Sequence, residues 1–239
     1  LDVEGEREPY DPNQGGRIKN PQKYTRQMAD IFLEYFWGRR DVYAKRYVGK
    51  KSGFPGYYPQ CANTWKLQCP RKQGIKQRCL DCDVRHFLRL TYDDLYHHFR
   101  GDDPNGNDVL GTYAMLPDST CRFLVFDFDN HENRKDDFAN TDNEWIEEVD
   151  AMRAICELNG IDPLVERSRS GKGAHIWIFL EEPVKASLAR RFGEALLDRG
   201  AERVNLKSFR YYDRMMPTQD LINEGGIGNL IALPLQGLA

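Results

Sequence analysis

The sequence predicts an α+β fold: a sheet covered by helices on one face, behind a loop-rich segment that carries most of the cysteines. Three observations point to it. From residue 111 on, strand-like and helix-like stretches follow in the order β-β-α-β-β-α-β-β. Two stretches, "TDNEWIEEVDAMRAICELNG" and "KASLARRFGEALLDRG", repeat their apolar residues at helical spacing. The segment 53–90, rich in Gly, Pro, Cys and Lys, shows no period and reads as a loop-dominated knob.

Composition sets the outer limits. The 239 residues are 40% apolar and 30% charged with a formal net charge of −3, ordinary for a globular chain. No uninterrupted apolar run is long enough for a membrane span, so no membrane partner is expected. Residues 1–24 form a polar lead-in without the apolar stretch of a secretory signal, which points to the cytoplasm.

In chain order, "TRQMADIFLEYFW" puts Met28, Ile31, Phe32, Tyr35 and Phe36 on one helical stripe. Between Trp37 and Gly53, Arg39, Arg40, Lys45, Arg46, Lys50 and Lys51 face a single aspartate, with Tyr43 and Tyr47 interleaved. That stretch is either a solvated basic surface or a track for nucleic-acid phosphates with aromatic rings to stack on bases. "LTYDDLYHHF" is a short helix with Thr91 as N-cap and Asp94 three residues on. "GDDPNGND" is a loop, and a boundary near it divides a helical, cysteine-bearing module (25–105) from a larger core (106–239). "GTYAML" and "CRFLVFDFD" read as a hairpin joined by "PDST". Thr141 and Glu144 form a capping box ahead of Trp145, Val149, Met152 and Cys156, and Asn159-Gly160 closes that helix. The next helix carries its stripe through Leu188, Phe192, Ala195 and Leu196. "IDPLVERS", "HIWIFL", "LKSFRYYDRMMP" and "IGNLIALPL" supply the remaining strands.

Two of these stretches carry chemistry. In "FLVFDFDN", Asp127 and Asp129 leave the same face of a strand whose other face holds Phe126 and Phe128. Two strand rises set their Cα atoms roughly 6.6 Å apart, a spacing suited to carboxylates sharing divalent cations. Otherwise they mark the strand's exit into a polar loop. The doublet also opens phosphatases that use an aspartyl-phosphate, though His131 stands where those have Thr or Val. The second stretch, "SRSGKGAH", is not a Walker A loop: one residue separates Gly171 from Gly173, and the turn leads into a strand. Its backbone N–H groups can converge on an anion, with Arg167, Arg169, Ser170, Lys172 and His175 beside them, as in a triphosphate cradle.

Six cysteines occur, and Cys61, Cys69, Cys79 and Cys82 cluster with seven, nine and two residues between them. The "CLDC" pair is a zinc knuckle, and four thiolates complete a closed structural Zn²⁺ site. Disulfides are the alternative, disfavoured without a route to an oxidising compartment. Cys121 and Cys156 fall in core patterns; His86, His97 and His98 are spare ligand candidates.

Taken together, "FLVFDFD", "ERSRSGKGAHIWIFLEEPV", "YDRMMPTQD" and "GIGNLIALPLQG" with the four-cysteine insert resemble the archaeo-eukaryotic primase superfamily, from about Tyr43 to the end. The resemblance is closest to primase domains of TOTE conflict systems and related mobile-element or CRISPR-associated primase-polymerases. It implies an RRM-like catalytic core with an antiparallel or mixed sheet, and template-directed nucleotidyl transfer from NTP or dNTP on single-stranded DNA. It also implies two Mg²⁺ or Mn²⁺ ions on Asp127, Asp129 and a third acid, Asp220 by its spacing to "GIGNLIALP", with Asp213, in the better strand pattern, as the alternative. A nucleotide motif follows from Ser170 and His175, with Gly171, Lys172, Gly173, Arg167, Arg214 and Asn229 near the phosphates. Asn229 replaces a basic residue found in many relatives. The stop at "LPLQGLA", directly after a core motif, is expected of a longer parent protein with helicase or nuclease parts. Two rival readings use the same residues: a metal-dependent phosphatase or nuclease, and a binding module without turnover.

Overall fold

A computed structural model describes residues 24–49, 52–130, 144–205 and 208–237. The elements are α1 (Arg26–Phe36), β1 (Ala44–Val48), β2 (Pro55–Pro59), α2 (Tyr92–Arg100), β3 (Leu110–Tyr113) and β4 (Thr120–Asp129). There follow α3 (Glu144–Leu158), β5 (Leu164–Arg167), β6 (Gly173–Lys185), α4 (Ala186–Arg203), β7 (Tyr212–Met216) and β8 (Leu230–Ala232). The strands form two antiparallel sheets, ordered β2-β1-β3-β8 and β5-β6-β4-β7.

The second sheet is a partition between two cores. On one face Leu124, Phe126 and Phe128 of β4 pack with Ile176 and Ile178 of β6 against α3 and α4. On the other, Phe123, Val125, Trp177 and Met216 pack against α1, α2, Leu110 of β3 and Ile231 of β8. Strand alternation makes this division, because residues two apart leave the same face. The fold is therefore α+β, with a correction: helices cover one face of the β5-β6-β4-β7 sheet, while the other meets two more helices and a second sheet.

The expected hairpin of "GTYAML" and "CRFLVFDFD" is split between the sheets. A tight turn remains, with a Met115–Cys121 bridge and Leu116 N–H donating to Thr120. Beyond it β3 leaves to pair with β1 and β8, while β4 is bonded on both sides by β6 and β7. Both flanks of β4 are thus taken, and β3 has no edge there to occupy.

Helix α2 begins as the sequence indicates. Thr91 Oγ1 accepts from Asp94 N–H, and Asp94 Oδ2 accepts from Thr91 N–H, each at 3.2 Å. The capping box expected at Thr141 lies outside the described residues, as does His131; Trp145, Val149, Met152 and Cys156 of α3 are buried. In α4 the stripe is displaced. Leu188, Phe192 and Ala195 are exposed; Leu196 of the expected stripe is buried, joined by Ala189, Gly193 and Gly200. A Cβ on Gly193 would lie 2.2 Å from Met215 Sδ, so small residues let the helix approach the sheet closely. In α1 likewise, Ala29, Phe32, Leu33 and Phe36 are buried while Met28, Ile31 and Tyr35 are exposed.

His98 ties three segments together from full burial. Its Nδ1 accepts from Leu110 N–H at 3.2 Å, which leaves the proton on Nε2 to bond Pro234 O at 2.8 Å. Burial pushes its pKa from 6.5 down to about 4. Between those values only the unfolded chain takes the proton, so stability falls as pH drops through that window. Chemical denaturation at pH 7 and pH 4.5 is expected to differ by up to about 3 kcal/mol from this group. His98→Gln, titrated in parallel, should lose that part of the pH dependence; an unchanged dependence would show that His98 does not set it.

Candidate active site

The register of the second sheet sets one residue from each strand in a row. Glu166 of β5 lies opposite His175 of β6, His175 opposite Asp127 of β4, and Asp127 opposite Arg214 of β7. Their charges alternate along the row. Glu166 Oε1 is 2.9 Å from His175 Nδ1, and His175 Nε2 is 3.5 Å from Asp127 Oδ1. Asp127 Oδ2 is 3.3 Å from Arg214 Nε, which is itself 3.0 Å from Asp213 Oδ2. Cross-strand neighbours of opposite charge stabilise a sheet; here they also place acids and bases within reach of one another.

Asp127 is buried, and burial pushes its carboxyl above the usual carboxylate range, against the charges of His175 and then Arg214. Burial acts to lower the His175 pKa, but the Glu166 hydrogen bond and the charges of Glu166, Asp127 and Asp129 outweigh it. The ring's pKa is therefore raised. Asp129, two residues on, leaves the same face at the end of β4, where its N–H donates to Tyr211 O at 2.8 Å.

Of the two alternatives for a third acid, Asp213 is the one beside this row. Asp220 is exposed and paired with Arg190 of α4 at 2.6 Å.

The glycine-rich turn joins β5 to β6. Within it Ser168 N–H donates to Gly173 O and Gly171 N–H to Ser168 O, each at 2.8 Å. Lys172 N–H donates to Ser170 Oγ at 3.2 Å, and the Arg167 guanidinium donates to Gly171 O at 2.8 and 2.9 Å. Those three backbone N–H groups are spent inside the turn and are not offered to an anion. Gly171 has φ +73°, and a Cβ on Gly173 would stand 2.1 Å from Phe128 O. These glycines serve the turn's shape and its approach to β4. A cavity of about 390 Å³ opens between the two sheets, lined among others by His175, Arg167, Arg169, Phe36 and Tyr57. That volume is typical of small-ligand sites.

Compared with known proteins, the chain matches the family model "TOTE conflict system, Archaeo-Eukaryotic Primase domain" over residues 27–239. It belongs to that family. The match starts before Tyr43, so it takes in α1 as well. A solved structure, the polymerase domain from Mycobacterium tuberculosis Ligase D in complex with DNA, is similar at 18% identity with a TM-score of 0.46. The alignment covers 74% of this chain and 60% of that one. No curated protein matches the chain.

Elsewhere on the chain, Cys61, Cys69, Cys79 and Cys82 line one cavity of about 30 Å³. Cys61 Sγ accepts from Asn63 N–H at 3.4 Å and His86 N–H at 3.3 Å. Backbone hydrogen bonds, from Trp65 first, hold the Cys69 thiol below its ordinary range, while burial pushes Cys79 up. Among the described residues, no group of three or more His, Cys, Asp or Glu is drawn together as a ready metal site. No described helix is long and apolar enough to cross a membrane.

Much of the basic stretch is committed within the fold. Tyr43 is buried with its hydroxyl on Asp94, which also takes Lys45 Nζ at 2.6 Å. Arg46 is buried on Asn105 O, Arg39 pairs with Asp41 and Gly226 O, and Arg40 lies over Trp37. Lys50 and Lys51 lie outside the described residues. Asn229, just before β8, holds Thr218 Oγ1.

Two carboxylates escape a reading of the sequence. Glu166 sits inside the quoted "ERSRSGKGAH", its only signal being an acid on a strand that leads to the turn. Glu148 of α3 gave none. It is buried and accepts from Arg210 and Tyr211 N–H at 2.8 and 2.9 Å, so a helix carboxylate holds the backbone that leads into β7 and Asp213. Glu148→Ala strips acceptors from two backbone donors and is expected to cost about 1–3 kcal/mol, read by chemical denaturation. An unchanged midpoint would show that the contact does not hold β7.

Proposed function

We propose that this primase domain is a primase-polymerase that joins an incoming NTP or dNTP to a strand on single-stranded DNA, in primer synthesis, extension or both. The observation that carries the reading is the acid face. Asp127 shares Arg214 with Asp213, Asp129 lies within electrostatic reach of His175, and His175 lines the cavity with Arg167 and Arg169.

The acids fit divalent cations. Asp127 is a buried carboxylate whose charge its neighbours do not fully compensate, which is what an added cation would correct. Asp127, Asp129 and Asp213 would hold Mg²⁺ or Mn²⁺, which when bound activates the attacking hydroxyl and offsets charge on the departing pyrophosphate. The remaining work belongs to the chain. The hydroxyl gives up its proton to solvent as its oxygen bonds to the α-phosphorus, the bond to the bridging oxygen breaks, and pyrophosphate leaves. His175 Nε2, Lys172 and Arg214 counter the phosphate charge; the cavity walls orient base and sugar. Ser170 shapes the turn through its bond to Lys172 N–H.

The four thiols suit a structural Zn²⁺: they line a cavity of ion size, and backbone N–H groups already solvate two of the sulfurs. Exposed Trp65 amid Lys66, Arg71, Lys72 and Lys76 gives this knob a surface suited to single-stranded template.

Incubation with single-stranded template, labelled nucleotides and Mg²⁺ or Mn²⁺ tests the reaction. Template-dependent products should fall to background in Asp127→Ala/Asp129→Ala and in Asp213→Ala, and persist within a few-fold in Asp220→Ala. Phosphate release or template shortening without extension would mean a phosphatase or nuclease instead; binding without turnover, a non-catalytic module. For zinc, freshly purified protein should carry about one Zn²⁺ per chain, and its chelation should lower the melting temperature. Metal-free protein with an unchanged melt would refute the site.

A further inference from the structure

We propose that Glu166 is a positioning residue, which holds the His175 ring so that Nε2 is the nitrogen offered to the nucleotide's phosphates. This rests on the reading that His175 contacts the triphosphate. The geometry is built from two sides. Glu166 is the direct cross-strand partner of His175, and Trp177, two residues further along β6, leaves the same face. One carboxylate oxygen takes His175 Nδ1 at 2.9 Å; the other accepts from Trp177 Nε1 at 3.1 Å.

A carboxylate only accepts, so His175 must carry its proton on Nδ1 in that bond. Nε2 is then directed away, to within 3.5 Å of Asp127 Oδ1 and along the cavity that His175 lines. Trp177 makes the carboxylate's own position firm. The indole is fully buried and meets Phe36 and Phe123 edge-on, with centroids 5.0 and 5.2 Å apart. Position is thus handed from the core to Trp177, to Glu166, to His175. Two N–H donors converge on this one side chain, and a glutamine could accept from only one of them.

The test compares Glu166→Ala, His175→Ala and the double variant, using dATP with Mg²⁺ as probe and ¹⁵N imidazole spectra at one fixed pH. Glu166→Ala is expected to weaken dATP binding about tenfold, to raise KM with kcat little changed, and to move the His175 Nδ1 resonance as its hydrogen bond to Glu166 is lost. The double variant should bind no worse than His175→Ala, because one residue acts through the other. Additive losses, or a ring spectrum unchanged in Glu166→Ala, would overturn the proposal. If His175→Ala binds dATP as the wild type does, it is the phosphate reading that falls. Should Glu166→Ala fail to fold, Glu166→Gln carries the same test with a smaller expected loss.

Discussion

The site depends on the double pairing of β4. Because β6 and β7 bond it on both sides, Asp127 is fixed opposite His175 on one flank and opposite Arg214 on the other. Register in a sheet is an all-or-none constraint: a slip of one residue would turn Asp127 and Asp129 into the apolar core and Phe126 and Phe128 out of it. The two hydrophobic cores on either face of this sheet therefore enforce the placement of the charges. Packing of Leu124, Phe126 and Phe128 under α3 and α4 is what keeps the acids on the face toward the cavity.

That arrangement carries an electrostatic cost, and the alternation of charge is how the fold limits it. A buried carboxylate is unfavourable without compensation. His175 and Arg214 supply some on either side, and each is shared with a second acid, Glu166 and Asp213 respectively. Burial outweighs what the two supply, so the Asp127 carboxyl remains above the ordinary range. A fully paired Asp127 would make a quieter sheet but a poorer cation ligand. The deficit that weakens this row as a structural element suits it to take up positive charge.

Much of this was legible in the sequence, but only what is local. Alternation in "FLVFDFD" put Asp127 and Asp129 on one face, and the Thr91–Asp94 box starts α2 where the residues say it should. What the chain order conceals is pairing between distant strands. Asp213 and Asp220 are seven residues apart and differ in which element they meet, β4's arginine neighbour or Arg190 of α4; no spacing rule reads that. Glu166 was hidden for the same reason, since its importance lies in the residue opposite it. The α4 stripe misled because its apolar bulk, Leu188 and Phe192, faces outward while glycine and alanine make the close contact. In the basic stretch a charge count could not tell which cations the fold engages, since the partners of Lys45 and Arg46, Asp94 and Asn105, are tertiary facts.

The glycine-rich turn changes meaning in this light. Its composition suggests a cradle of backbone N–H groups, yet those of Ser168, Gly171 and Lys172 bond within the turn, and Gly173 is small because β4's carbonyl passes where a Cβ would sit. The loop is a spacer that starts β6 at a set height against Asp129, its direct partner in the ladder. Two residues further along β6, that same register delivers His175 opposite Asp127. A phosphate held here would draw on His175, Lys172 and nearby arginines, with those three amides already taken. Side-chain charges reach farther than amides and adjust to a moving group. They also need positioning of their own, and a half-buried acceptor such as Glu166, anchored to Trp177, meets that need.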